Sequence, residues 1–259
     1  MISIVYCTYR PGGFDLLASG LAGQGEYELV VVDDYPGRDV TGYLLEKGVH
    51  LGYYGPSKPH CYPDQYRTAF FNACNTGLMR SKGDIVFFCQ DYTWLPKGTI
   101  RHWAELFEEP KVVVVCGAVI KECRGPETLG DVTIWNGDVT RVIEDGRAVE
   151  TWMPASFDVR CAGYSREYLL EANGFDERND CHDSAYLTNI PWQISSLGYH
   201  IRVDRDWPLV MCRHDNWSSD RLWHASRTIP AGHDEMKWDT KKDVRSPNCF
   251  SLEKIREGE

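Results

Sequence analysis

The chain begins with an unbroken apolar run, ISIVYCT at residues 2–8, which stops at the turn residues RPGG. An amphipathic stretch, FDLLASGLAG, follows, and then a second apolar run, ELVVVDD at residues 28–34. Runs of this length bounded by turn residues predict strand, helix, strand. Because no polar residues alternate through them, both faces of each strand need cover, which fits a parallel sheet with right-handed crossovers. The spacing predicts a further helix over YRTAFFNACNTGLMRS (66–81), a turn at KGD and a strand over IVFFCQD (85–91). A helix over GTIRHWAELFEE (98–109) is closed by Pro110 before the strand VVVVCGAVI (112–120). Up to residue 119 this order describes an open α/β sheet. Such sheets bind ligands beyond the carboxyl ends of their strands. Thr8, Tyr9 and Arg10, the pair Asp33 and Asp34, and Gln90, Asp91 and Tyr92 all stand at such ends.

From residue 121 to 158 the composition shifts to Gly, Asp, Thr and Trp, and GDVTRVIEDGRAV suggests a hairpin. A helix over SREYLLEANG, the turn GFDERNDCHD, a helix over AYLTNIPWQISSLG and a strand over HIRVDRDWPLVMCRH complete the pattern. Pro191 marks a break or a first turn within that last helix. Beyond residue 215 the chain is polar and aromatic with poor periodicity, as in a surface wrap or lid. The expected division is one domain over 1–215, with halves at 1–119 and 120–215, and a C-terminal extension over 216–259.

With 259 residues, 42% of them apolar, the chain has material for a solid core. Its net charge of -10 argues against a general nucleic-acid surface, and a phosphorylated ligand would need a divalent cation or a local arginine cluster. No run reaches the ~20 apolar residues of a membrane span. The N-terminus also lacks the layout of a signal peptide, so the expected location is cytoplasmic. The ten cysteines include no CxxC pair. Those inside apolar runs, such as Cys7, Cys89 and Cys116, read as small hydrophobes in a reduced protein.

Taken in order, SIVYCTYRPGG, ELVVVDDYPG, NTGLMRSKGDIVFFCQD, GFDE followed by HDSAYL and LGYHI, and the strand ending MCRH resemble family 2 glycosyltransferases with the GT-A fold, over residues 2–214. QDYTWLP further looks like a subgroup met in phage and bacterial genomes. The resemblance implies a Rossmann-like, mostly parallel central sheet with helices on both faces, plus a small β-hairpin region and the C-terminal extension. It also implies that residues 1–119 bind the nucleotide sugar and residues 120–215 carry the acceptor and catalytic half. Thr8, Tyr9 and Arg10 would line the donor pocket, and Asp34 would accept a hydrogen bond from a pyrimidine NH, a role suited to an ionised carboxylate. Asp33 reads as the turn or capping acid. Asn75 would pack below the donor. Where many relatives carry Arg, this chain has Cys74, so Arg67 is the nearby candidate for a phosphate or base contact. Gly77 is open to a second reading, close helix–sheet packing.

At the acid motif, relatives present two or three aspartates, whereas Gln90-Asp91-Tyr92 keeps one. The resemblance implies a Mn²⁺ or Mg²⁺ ion on Asp91 that stabilises the leaving diphosphate as a Lewis acid, with Gln90 offering a neutral oxygen and His214 a possible imidazole. For the general base, His182-Asp183 stands where relatives have Glu-Asp, which makes Asp183 the base and His182 its neighbour; an N-cap role for Asp183 is the plain alternative and Asp180 the competitor. Trp152 and Trp135 are the acceptor-side candidates, and Arg160 a phosphate candidate. The expected activity is inverting transfer from a nucleotide-diphosphate sugar, with UDP-sugar favoured, to a glycan, a small molecule or a modified phage DNA base. The alternatives are a catalytically inactive GT-A-like binding module and a sugar nucleotidyltransferase, for which TYRPGG is a feeble version of the required basic glycine-rich loop.

Overall fold

A computed structural model of the chain describes residues 1–10, 12–59, 70–122, 126–129, 132–135, 161–177, 180, 190, 193–213 and 246. The strands are β1 (Ile2–Thr8), β2 (Glu28–Asp33), β3 (Leu51–Gly55), β4 (Ile85–Gln90), β5 (Thr93–Trp94), β6 (Val112–Glu122), β7 (Pro126–Leu129), β8 (Val132–Trp135), β9 (Cys161–Ser165) and β10 (His200–Arg213). The helices are α1 (Phe14–Leu21), α2 (Thr41–Glu46), α3 (Phe70–Arg80), α4 (Thr99–Leu106) and α5 (Arg166–Glu171). Eight strands form one sheet in the order β3-β2-β1-β4-β9-β6-β10-β5, and β7 pairs with β8 in a separate antiparallel ribbon. β1 runs parallel to β2 and β4, β2 to β3, and β6 to β10, whereas β9 is antiparallel to both β4 and β6. This is the expected α/β sheet, with one reversed strand, β9, set in its middle and a second, β5, antiparallel to β10 at its edge.

The unbroken apolar runs have a direct cause, because both faces of the sheet are covered. Ile4 and Tyr6 of β1 join Phe14 and Leu17 of α1, Leu44 of α2 and Trp103 of α4 in one core. Val5 and Cys7, one residue out of step, join Phe71, Cys74 and Leu78 of α3 and Tyr168 and Leu169 of α5 in the other. Period-two alternation thus sends each run into two cores, and no polar face is left to alternate. Cys89 and Cys116 lie wholly inside, and burial pushes both thiols up.

Close approaches fix the layers. A Cβ on Gly77 would lie 2.2 Å from Val5 Cγ1, so the bare backbone of α3 rests directly on the Val5 side chain of β1. A Cβ on Gly163 of β9 would meet the Phe87 ring at 2.2 Å, and that ring stacks on Trp103 with centroids 3.5 Å apart. α2, β3, the two-residue β5 and the reversed strand β9 escaped the sequence pattern. The hairpin expected over 137–149 lies outside the described residues. An antiparallel pair does occur just before it, at β7 and β8. No described helix is long and apolar enough to cross a membrane.

Candidate active site

β1 and β4 are parallel neighbours with Cys7 opposite Gln90, so the residues that follow them emerge at the same edge. There Arg10 Nη1 lies 2.9 Å from Asp91 Oδ1 and 2.9 Å from Oδ2. Thr8 Oγ1 donates toward Oδ2 at 3.4 Å and accepts from the Arg10 amide at 3.2 Å. Arg10 also stacks on Tyr9, 4.4 Å from the ring centroid. Asp91 is only 5% exposed, so its charge is held almost out of water against one guanidinium. The turn that carries it is rigidly seated. Tyr92 adopts φ 57, and its amide donates to the Tyr6 hydroxyl at 3.0 Å. Gly13, at φ 90, approaches both; a Cβ there would lie 2.8 Å from Tyr6 Oη and 2.9 Å from the Tyr92 nitrogen, which only glycine allows. Burial raises the Tyr6 hydroxyl well above its ordinary pKa, and the Asp91 charge adds to the rise.

At the end of β2 the two aspartates part company. Asp33 accepts from Arg38 Nε at 2.7 Å and Nη2 at 2.6 Å, from Tyr54 Oη at 2.7 Å and from the Tyr35 amide at 2.9 Å. Burial alone would lower the Arg38 pKa, but the hydrogen bonds and charge of Asp33 outweigh it and the guanidinium is raised. The third Arg38 nitrogen, Nη1, donates to the Arg10 carbonyl at 2.6 Å and so ties the end of β2 to the end of β1. Asp34 is less buried. Its amide donates to the Thr8 carbonyl at 2.9 Å, while its carboxylate accepts from the Ser57 amide at 2.8 Å and the Ser57 hydroxyl at 2.5 Å. Thr8, Arg10, Asp34, Ser57 and Asp91 therefore line one edge of the sheet.

A second polar cluster ties α3 to the segment after α5. Asn75 donates to the Phe175 carbonyl at 2.9 Å and to Glu177 Oε1 at 2.8 Å, and accepts from the Phe175 amide at 2.8 Å. Lys58 forms an ion pair with Glu177. Asp180 accepts from the amides of Phe71 at 2.6 Å and Asn72 at 3.1 Å, which satisfies two orphan donors of the first turn of α3. Burial raises the Asp180 carboxyl well above its ordinary pKa; Glu177 adds to the rise, while the two amides and Lys58 oppose it.

The sequence model of glycosyl transferase family 2 matches residues 15–170, more than half of the chain. The chain belongs to this family. Among solved structures it is similar to the mannosyltransferase PcManGT from Pyrobaculum calidifontis in complex with GDP-Man and Mn²⁺, at 18% identity and a TM-score of 0.51 over 81% of this chain and 56% of that one. S. aureus TarS aligns at 16% identity and a TM-score of 0.51, over 82% of this chain and 36% of that one. GalNAc-T7 with UDP, GalNAc and Mn²⁺ aligns at 12% identity and a TM-score of 0.58, over 83% and 44%. These likenesses establish the GT-A fold. The chain spans about half the length of these neighbours or less. No curated protein matches it.

For this family 2 chain, the structure brings together Thr8, Tyr9, Arg10, Asp34 and Asp91 of the expected donor residues, with Gln90 buried at the end of β4. It sets Asn75 on the Phe175 turn and Gly77 against Val5. Arg67, Trp152, Arg160, His182, Asp183 and His214 lie outside the described residues, and Trp135 is placed only as the last residue of β8. Arg38, Ser57, Lys58 and Glu177 were not singled out from the sequence. Arg38, five residues after Asp33, was the one with a local signal. Among the described residues no group of three or more His, Cys, Asp or Glu forms a ready metal cluster. Asp91 nevertheless fits a cation, since both of its oxygens already face one positively charged group.

Proposed function

We propose that this chain is an inverting glycosyltransferase that moves a sugar from a nucleotide-diphosphate donor, a UDP-sugar by preference, to an acceptor hydroxyl in the cytoplasm. The observation that carries the reading is the convergence of Thr8, Arg10, Asp34 and Asp91 at the carboxyl ends of three adjacent parallel strands in a family 2 chain. PcManGT and GalNAc-T7, of the same fold, were solved with GDP-Man and with UDP, each with Mn²⁺, which supports a nucleotide and a cation at this edge.

In this reading Tyr9 and the backbone of Thr8 flank the base and ribose, and Asp34 offers its carboxylate to the NH of a pyrimidine. Arg10 and Arg38 offset the charges of Asp91 and Asp33, so a diphosphate bound at this edge calls for a divalent cation as well. Asp91, with His214, would hold Mn²⁺ or Mg²⁺, which when bound stabilises the diphosphate charge as a Lewis acid. Asp183 takes the proton of the acceptor hydroxyl, with His182 beside it. Asp180 is withdrawn from that role by its two amide bonds on α3, and it anchors the chain three residues before the base. Trp152 and Trp135 supply acceptor-side ring contacts.

Thermal shift of the full chain with UDP-, GDP-, TDP- and CMP-sugars, each with and without Mn²⁺, tests the donor half, since a ligand bound to the native state alone raises the melting temperature. One cognate nucleotide should stabilise the chain, and Asp183→Asn should retain that shift while losing transfer. No shift with any nucleotide would sink the proposal. Nucleotide binding without transfer or donor hydrolysis would favour the binding-module reading instead.

A further inference from the structure

We infer that Arg10 is an exchangeable counter-ion: it holds Asp91 in the donor-free protein, blocks a divalent cation from that carboxylate, and transfers to the donor diphosphate when the nucleotide arrives. The inference rests on the donor site proposed above. Three observations carry it. One guanidinium nitrogen sits 2.9 Å from each Asp91 oxygen, and Thr8 Oγ1 reaches Oδ2 at 3.4 Å, so protein donors face both oxygens. The side chain of Asp91 is 6% exposed and that of Arg10 is 16% exposed, so the carboxylate depends on this cation for its charge balance while the guanidinium keeps a way out to solvent over the Tyr9 ring. Arg38, the neighbouring guanidinium, is committed at Nε and Nη2 to Asp33 and at Nη1 to the Arg10 carbonyl. The backbone of Arg10 is thereby pinned at its carbonyl.

The energetics make the exchange conditional. A buried carboxylate stripped of its partner is strongly unfavourable, so Arg10 leaves only when another positive charge replaces it. A divalent cation arriving alone must displace the guanidinium and meets like charge. A diphosphate offers the planar fork of Arg10 a bidentate partner of higher charge, and its own oxygens complete the shell of a cation on Asp91. Cation binding and diphosphate binding are then coupled through Arg10, each raising the affinity for the other. The single-acid motif acquires a consequence: one carboxylate suffices because the competing charge is removed by the substrate that brings the cation's other ligands.

Mn²⁺ binding measured by the electron paramagnetic resonance signal of the free ion tests this without reference to turnover, on the full chain, with and without UDP or GDP. Wild type should bind Mn²⁺ alone weakly and much more tightly with the cognate diphosphate. Arg10→Gln should bind Mn²⁺ alone at least about tenfold more tightly than wild type, the low end of what close buried charge pairs contribute, and should bind the diphosphate more weakly. Arg10→Lys, which keeps the charge but loses the fork, provides the folded variant should the glutamine leave Asp91 too unbalanced to fold; its affinity for Mn²⁺ alone should lie between the two. If neither variant binds Mn²⁺ more tightly than wild type, the exchange is overturned even where the diphosphate binds as proposed. If wild type binds no nucleoside diphosphate at all, the donor-site reading fails first.

Discussion

The sharpest test of how this site is built is the comparison of Asp33→Asn with Asp34→Asn, adjacent and chemically identical changes with different expected costs. At Asp33 the amide nitrogen of asparagine would replace an oxygen that accepts from Arg38 Nε at 2.7 Å and Tyr54 Oη at 2.7 Å. Tyr54 can recover, because its hydroxyl already lies 3.0 Å from the Arg38 carbonyl and can donate there while accepting from the new amide. Arg38 cannot. Its side chain is 6% exposed and its Nη1 is bound to the Arg10 carbonyl, so two donors face each other and a buried charge loses its partner. Breaking one side of such a pair costs about 3–5 kcal/mol. At Asp34 the same change meets only Ser57, whose hydroxyl can rotate to accept from the amide while the retained oxygen accepts from the Ser57 backbone. That exchange of hydrogen bonds costs about 1 kcal/mol.

For a chain of this size each kcal/mol moves the melting temperature by roughly 2–4 °C. Asp33→Asn should therefore melt about 10 °C below wild type, and Asp34→Asn within about 4 °C of it. Urea unfolding followed by tryptophan fluorescence gives the free energies, and calorimetric titration with nucleoside diphosphates gives the other half of the contrast. Asp34→Asn should lose nucleotide affinity, and folded Asp33→Asn should keep most of it. Equal stability losses with unchanged affinity in Asp34→Asn would refute the division of labour between the two acids.

Two further changes probe the frame around the site. Gly77→Ala gains about 1 kcal/mol of helix propensity but places a Cβ 2.2 Å from Val5 Cγ1, and overpacking of that kind costs about 1–3 kcal/mol, so a net loss in urea unfolding is expected. Val5→Ala should be less costly in the Gly77→Ala background than in wild type; a variant as stable as wild type with weakened nucleotide binding would favour a donor contact at Gly77 instead. Asp180→Asn tests the pH dependence: the folded pKa is raised by burial, so folding favours the protonated acid, and wild-type stability relative to the variant should fall as pH rises from about 4 through the folded value. Urea midpoints of both proteins between pH 4 and 8 measure this, and a difference that is flat or grows with pH would count against it.

What the sequence made legible follows from what each element buries. β1, β2, β4 and β6 announce themselves because two cores share each strand and leave only apolar positions. α2 sends only Leu44 into the core, and β3, LGYYG, is half-exposed and carries two glycines, so neither periodicity rises above its surroundings. β9 reads as CAGYS, small residues whose purpose is to let Phe87 and the flanking strands approach; its reversed place between β4 and β6 is a tertiary fact with no local trace. The site divides in the same way. Asp33 has its partners within the next five residues, apart from Tyr54, so DDYPGR already contains a turn acid with its own arginine. Asp91 is recognisable as an acid at a strand end, but the charge that faces it comes from Arg10, 81 residues earlier, and only the parallel pairing of β1 with β4 joins them. That separation matters for the chemistry. An acid balanced by its own turn is locked as long as the turn persists, whereas an acid balanced by an arginine that follows another strand and keeps a small solvent-facing share can change partners without unfolding anything. The apparent deficiency of the Gln-Asp-Tyr motif thus becomes a matter of which cation holds its single carboxylate, and when.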